Sequence, residues 1–199
     1  MRPALLNLFI AASAVGLAPA NSIAAQSAIT PTHSVVGMIS NFDDGTTKTS
    51  MGFGWVISTD QIIGGQSTAE MKVVDGGANG TAKSLETTGK VAPGLSYGWA
   101  GPMFMPGSKP MDAANLSAAK SVSFWAKGDG RTYQVMMFSQ SSGQMPVSVE
   151  FTAGPQWKQY TFPFSAFQGI NAHDIQGIAF TAGQPAGSFT LQLDEVSFQ

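Results

Sequence analysis

The chain has 199 residues, with 10 Lys+Arg against 12 Asp+Glu for a net charge of −2, and charged residues make up only 11% of it. A typical soluble domain carries roughly 25%, so this surface is finished in Ser, Thr, Gln, Asn and Gly, without the basic patch or basic helix that holds nucleic acid or an anionic membrane. No cysteine is present, which excludes disulfides, thiol nucleophiles, Cys-ligated zinc and Fe–S clusters.

The first segment reads as a secretory signal peptide. Arg2 precedes an apolar run from Ala4 to Leu17, and small residues follow at Ala18-Pro19-Ala20 and Ala24-Ala25. That is a basic n-region, an apolar h-region and an A-x-A-like exit. The apolar run is short for a spanning helix, which takes roughly 20 residues. Export to the periplasm or the medium is therefore expected, with no integral membrane segment after cleavage. Residues 1–25 are assigned to the signal, 26–37 to a linker or edge segment, and 38–199 to a single domain.

Beyond the signal, stretches of β-branched and aromatic residues alternate with turns drawn from 23 Gly and 11 Pro. Met38 to Phe42 reads as a strand entering the acidic turn Asp43-Asp44-Gly45, and Phe53 to Ser58 as the next strand. Gly64-Gly65-Gln66-Ser67 reads as a turn needing positive φ. It lacks the lysine and the following helix of a phosphate-cradling loop. Ala69–Asp75, Ser84–Lys90 and Leu95–Ala100 follow as strands. The stretch from Gly101 to Ala114, with Pro102, Pro106 and Pro110, is expected to be irregular, and Asn115–Ala119 to hold one helical turn at most.

Ser121 to Ser139 is the clearest element. Two strand-forming runs flank Lys127-Gly128-Asp129-Gly130-Arg131, whose Gly and Asp suit a tight turn, so a β-hairpin is expected. Val147–Thr152, Lys158–Phe164, Ile175–Thr181 and Phe189–Phe198 complete roughly ten short strands. No segment after the signal sustains helical spacing and no repeat is visible. The fold class is all-β, a sandwich or jelly roll in one domain.

Several stretches resemble the complex I intermediate-associated protein family. These are Trp55 with Ser58-Thr59-Asp60-Gln61-Ile62-Ile63-Gly64-Gly65-Gln66-Ser67, and Ser123-Phe124-Trp125-Ala126-Lys127-Gly128-Asp129-Gly130-Arg131-Thr132-Tyr133. Trp157-Lys158-Gln159-Tyr160-Thr161-Phe162-Pro163-Phe164-Ser165-Ala166-Phe167 is similar to that family's strand and corner. The close, Phe189 with Leu193-Asp194-Glu195-Val196, resembles family 11 carbohydrate-binding modules as well. The resemblance spans Asn41 to Phe198. It implies a galactose-binding-domain-like jelly-roll β-sandwich of about ten strands. Eukaryotic members assist respiratory complex I assembly in mitochondria, a role at odds with a signal peptide.

Candidate ligand-binding residues are Trp125, Tyr133, Tyr97, Trp99, Arg131 and Lys127. Sugar rings present apolar C–H faces that stack on aromatics, while charged and amide side chains bind their hydroxyls. Period two puts Tyr97 and Trp99 on one face, and separates Phe124, assigned to the core, from the outward pair Trp125 and Lys127. Trp157 and Phe162-Pro163-Phe164 are read as structural. In sandwiches of this type the first and last strands are neighbours, which would bring Asp43 and Asp194 together. Related carbohydrate-binding modules hold a structural Ca²⁺ there, an ion that takes six to eight oxygens.

Catalytic machinery is sparse. His33 lies in the linker, and His173 has neither a G-x-S-x-G nor an H-E-x-x-H context. A carboxylate pair drawn from Asp60, Glu70, Asp75 and Glu86 would be the only hydrolytic resource. The expected function is an exported, non-catalytic module binding a polysaccharide or other polar ligand. The alternatives are an envelope protein-interaction or assembly factor with a protein partner, and a glycan hydrolase.

Overall fold

The computed structural model describes residues 36–49, 51–143 and 145–199. The signal-peptide reading and His33 lie outside them. Eleven strands run in chain order: β1 (Gly37–Ser40), β2 (Gly54–Thr59), β3 (Thr68–Asp75), β4 (Lys83–Val91), β5 (Ala100–Met105), β6 (Ser121–Gly128), β7 (Thr132–Ser139), β8 (Val147–Thr152), β9 (Lys158–Pro163), β10 (Ile175–Ala182) and β11 (Gly187–Phe198). They form two sheets, ordered β3-β4-β11-β6-β9, with β1 also on β11, and β2-β5-β10-β7-β8. Every pairing between them is antiparallel.

The core lies between the sheets because alternate side chains of each strand point inward. Phe189, Leu191 and Leu193 of β11 are buried, while Thr190 and Gln192 between them are partly exposed. Phe124 sits edge-on to Phe180 at 4.9 Å and to Phe151 at 5.2 Å. Burial of each such ring contributes about 1.5–3 kcal/mol. The Trp55 indole, also buried, donates to Ser40 Oγ at 3.0 Å, so its polar atom is satisfied inside the core.

Ser121–Ser139 does form two strands, but they do not pair. β6 lies between β11 and β9 in the first sheet, and β7 between β10 and β8 in the second. The connection Asp129–Arg131 is thus an arch from one sheet to the other rather than a hairpin turn. Leu95–Trp99 is a loop, with the strand starting only at Ala100. Part of the proline-rich stretch is regular after all, since β5 is an interior strand of the second sheet, between β2 and β10. Its ladder to β10 skips Gly101 and Pro102, between Met103↔Ala179 and Ala100↔Ala182. That gap accommodates a residue without an N–H. A Cβ on Gly101 would collide with the Phe180 carbonyl oxygen.

Candidate functional site

The arch between the sheets is held by two side chains. Asp129 accepts hydrogen bonds from the Arg131 N–H at 3.1 Å, the Tyr133 hydroxyl at 2.9 Å and the Thr190 N–H at 3.1 Å. The Arg131 guanidinium donates to the carbonyls of Gly183 and Pro185 in the β10–β11 connection and of Ser188 at the start of β11. Tyr133 is fully buried, stacked on Phe151 at 5.8 Å. Burial is the first cause holding its hydroxyl above the ordinary tyrosine range, and Asp129 is the second. Two expected ligand residues are therefore structural: Tyr133 faces the core and Arg131 is committed to backbone. Alternation on β6 says nothing of Tyr133, because the strands on either side of the arch belong to different sheets.

Trp125 and Lys127 do face outward, on the first sheet. Both are partly exposed, and Phe124 and Ala126, which alternate with them, are buried. In register, Trp125 lies between Asp194 of β11 and Gln159 of β9, and Lys127 lies beside Gln192. The Lys127 ammonium stands 4.9 Å from the centroid of the Trp157 ring, just before β9. Trp157, expected to be structural, is partly exposed on this outer face. Its signal was available: it is two residues from Gln159, and both alternate with the inward Tyr160. Across the same face Gln192 donates to Glu86 at 2.9 Å, and Glu86 pairs with Lys72 at 3.2 Å. Lys127, Gly128, Asp129, Pro155, Thr190 and Gln192 line a shallow depression beside these rings. The result is a strip of two indoles, amides and an ammonium on an otherwise polar surface.

Trp99 and Tyr97 sit elsewhere, at the second sheet. Trp99 packs on its outer face with Met103, Met105, Met136 and Ala179, flanked by Val56 and Phe138. Its indole donates to Ser58 Oγ at 3.0 Å and only 8% of it is exposed. Tyr97, in the preceding loop, is 67% exposed. The six expected ligand residues thus divide among two faces and the core, and form no single platform.

The acidic residues act as turn anchors. β1 does pair with β11, as expected of first and last strands. Asp194, wholly buried, accepts from the Ala78 N–H at 2.7 Å, the Thr81 hydroxyl at 2.5 Å and the Glu195 N–H at 2.7 Å. Desolvation raises its carboxyl above the ordinary range, against these hydrogen bonds. Asp43 accepts from the N–H groups of Ala82 and Lys83 at 2.8 and 2.9 Å. The Asp194 carboxylate is thus filled by the β3–β4 turn and its own strand, and one oxygen of Asp43 is held by the same turn. Among the described residues no group of three or more acidic, His or Cys side chains is placed to hold a metal. This donor set does not fit a calcium ion.

Asp60 wraps its own loop, accepting the Ser67 N–H at 2.9 Å and its hydroxyl at 2.6 Å. A Cβ on Gly65 would strike the Asp60 carboxylate, which accounts for the second glycine of the pair. Glu86 and Asp75 are ion-paired with Lys72 and Lys83. His173 is exposed, and its backbone N–H caps onto Asn171. None of these groups forms a paired-carboxylate cleft or a nucleophile–base pair.

The architecture is that of known carbohydrate-binding modules. A family 11 module of the Clostridium thermocellum cellulase Lic26A-Cel5E superposes with a TM-score of 0.59 at 17% identity, over 83% of this chain and 95% of that one. A family 11 module from the same organism, in complex with a β-1,3-1,4-mixed-linked tetrasaccharide, gives 0.57 at 16% identity, over 83% and 96%. A family 30 module gives 0.56 at 12% identity, over 81% and 86%. At these identities the likeness is one of fold. No curated protein sequence matches the chain. The profile of Complex I intermediate-associated protein 30 (CIA30) matches residues 41–192, which takes in the Asp60 loop, the Asp129–Arg131 arch and the Trp157 corner. The chain belongs to the CIA30 family.

Proposed function

We propose that this protein is a non-catalytic binding module that holds a glycan on the outer face of its first sheet. The observation that carries this reading is the strip formed by Trp125, Lys127 and Trp157. Aromatic rings on a polar strand face offer stacking surfaces to the C–H side of a pyranose. Gln159 and Gln192, in register on either side, supply donors and acceptors for hydroxyls. The family 11 and family 30 neighbours support a saccharide as the ligand class. Export, on the strength of residues 1–25, would place the module where polysaccharides are found.

Affinity electrophoresis in gels cast with soluble polysaccharides tests the reading. The wild-type protein should be retarded in at least one gel, and Trp125→Ala and Trp157→Ala should abolish that retardation while leaving thermal unfolding nearly unchanged. Unretarded migration in every polysaccharide would overturn it.

A second reading has its own observation. The methionine-rich outer face of the second sheet has the adaptable apolar character of protein-docking surfaces, and supports an interaction or assembly role for this CIA30 member. Pull-down from the native host separates the two. A stoichiometric protein partner lost on substitution of the partly exposed Phe138→Ser, in protein that still folds, favours assembly, whereas a glycan module returns none.

A further inference from the structure

We propose that the saccharide held by the first-sheet strip is an acidic one, whose units carry carboxylate or sulfate groups. The inference rests on the glycan-binding reading and follows from how the protein spends its cations. Lys72 is paired with Glu86 at 3.2 Å and Lys83 with Asp75 at 2.6 Å. Arg131 is consumed by three backbone carbonyls. Lys127 shares with Lys48, Lys90, Lys109, Lys120 and Lys158 the lack of an ion-pair partner among the described residues, but it alone of these lies in the Trp125–Trp157 strip. Its ammonium instead lies over the Trp157 ring at 4.9 Å.

Lys127 is therefore the uncompensated cation beside Trp157 where β6 meets β9. An ammonium seated on an aromatic face is fixed in position and partly stripped of water, yet its charge is not neutralised. The carboxylate lining the depression, Asp129, already receives three hydrogen bonds and lies beside the Arg131 guanidinium's own turn. It offers a neutral sugar little free accepting capacity, and an anion would meet Lys127 first. A pyranose laid with its C–H face on an indole would carry an equatorial carboxylate or sulfate at its rim, within reach of such an ammonium. A neutral sugar gains nothing specific from Lys127, because hydroxyls are served as well by the amides of Gln159 and Gln192.

Polygalacturonate oligomers and their methyl-esterified counterparts make a matched pair of probes, identical in backbone and differing in charge. Titration calorimetry should show the acidic form binding at least about tenfold tighter than the ester, as expected of a charge-assisted hydrogen bond. Raising the salt from about 50 mM to about 500 mM should erode that advantage by screening. Lys127→Gln should abolish it and Lys127→Arg should retain most of it. Equal binding of acid and ester, or of a neutral β-1,3-1,4-glucan, with Lys127→Gln indifferent, overturns the acidic class and leaves the glycan reading standing. Failure of every saccharide to bind folded protein overturns both.

Discussion

On the outside of the first sheet stand Glu70, Lys72, Glu86, Thr88, Thr190, Gln192, Gln159 and Thr161, interrupted by the indoles of Trp125 and Trp157, the stem of Lys127, and the apolar Val74 and Met38. The corresponding positions over β2, β5, β10 and β7 of the second sheet hold Val56, Met103, Met105, Met136, Phe138 and Ala179, with Gln134, Ser148 and Glu150 finishing the β8 side. Met103 and Met136 are only 4% and 8% exposed, packed with Trp99, Met105, Val56 and Phe138 on that face. They shield one another, with Ala179 in register between them leaving room for both. One face thus meets water through discrete polar groups around two rings. The other behaves as an extension of the interior. Recognition by the first would be chemical and selective, and by the second governed by area and shape.

That contrast can be tested by where substitutions hurt. The inward Phe124→Ala sets the scale, with an expected loss of about 3–5 kcal/mol in urea unfolding. Asp194→Ala should follow, at about 2–3 kcal/mol, because the Ala78 and Glu195 N–H groups and the Thr81 hydroxyl lose their acceptor. Calcium and EGTA should leave the wild-type Tm alike; a shift of several degrees on chelation would reinstate a metal at Asp43 and Asp194. Met136→Ala, on an outer face, should still cost about 2 kcal/mol, in the core range. A loss under about 0.5 kcal/mol would mean the second face is ordinary surface, and the contrast would collapse. Glu86→Gln, on the first face, should stay within about 0.5 kcal/mol.

The smallest effect concerns Asp75. Its carboxyl is held below the ordinary aspartate range by the hydrogen bond and charge of Lys83. A folded-state pKa below the unfolded one stabilises at pH above the ordinary aspartate value and is lost as pH falls through the folded value. The pair is solvent-exposed, so Asp75→Asn should only slightly flatten the acid limb of a Tm-against-pH curve, and do nothing near neutrality.

Strand positions were legible almost throughout, because alternation and glycine punctuation are local. So was the division between inward Phe124 and outward Trp125. Partnership was not legible. Lys127–Arg131 has the residues of a hairpin turn, but whether β6 and β7 pair or part is decided by β11, β9, β10 and β8, dozens of residues away in sequence. Tyr133 followed that error to the wrong side. β5 was hidden by Pro102, which is tolerated only because the ladder to β10 lapses opposite it. The second outer face did leave a trace. Met136-Met137-Phe138 is apolar at both parities, as a strand covered on both sides must be. The candidate site was half legible: Trp125 and Lys127 by alternation, Trp157 only once β9 was seen to lie beside β6.

The arch at Asp129–Arg131 has a mechanical consequence. Both β6–β7 and β10–β11 cross between the sheets, and Asp129 and Arg131 fasten one crossing to the other through Thr190, Gly183, Pro185 and Ser188. Two sheets joined only by greasy contact can slide; two joined by stitched crossings at one end can at most open like a book whose spine is sewn. Lys127 and its depression lie at that spine. A polymer drawn along the first sheet would pull against the part of the molecule with the least freedom to yield.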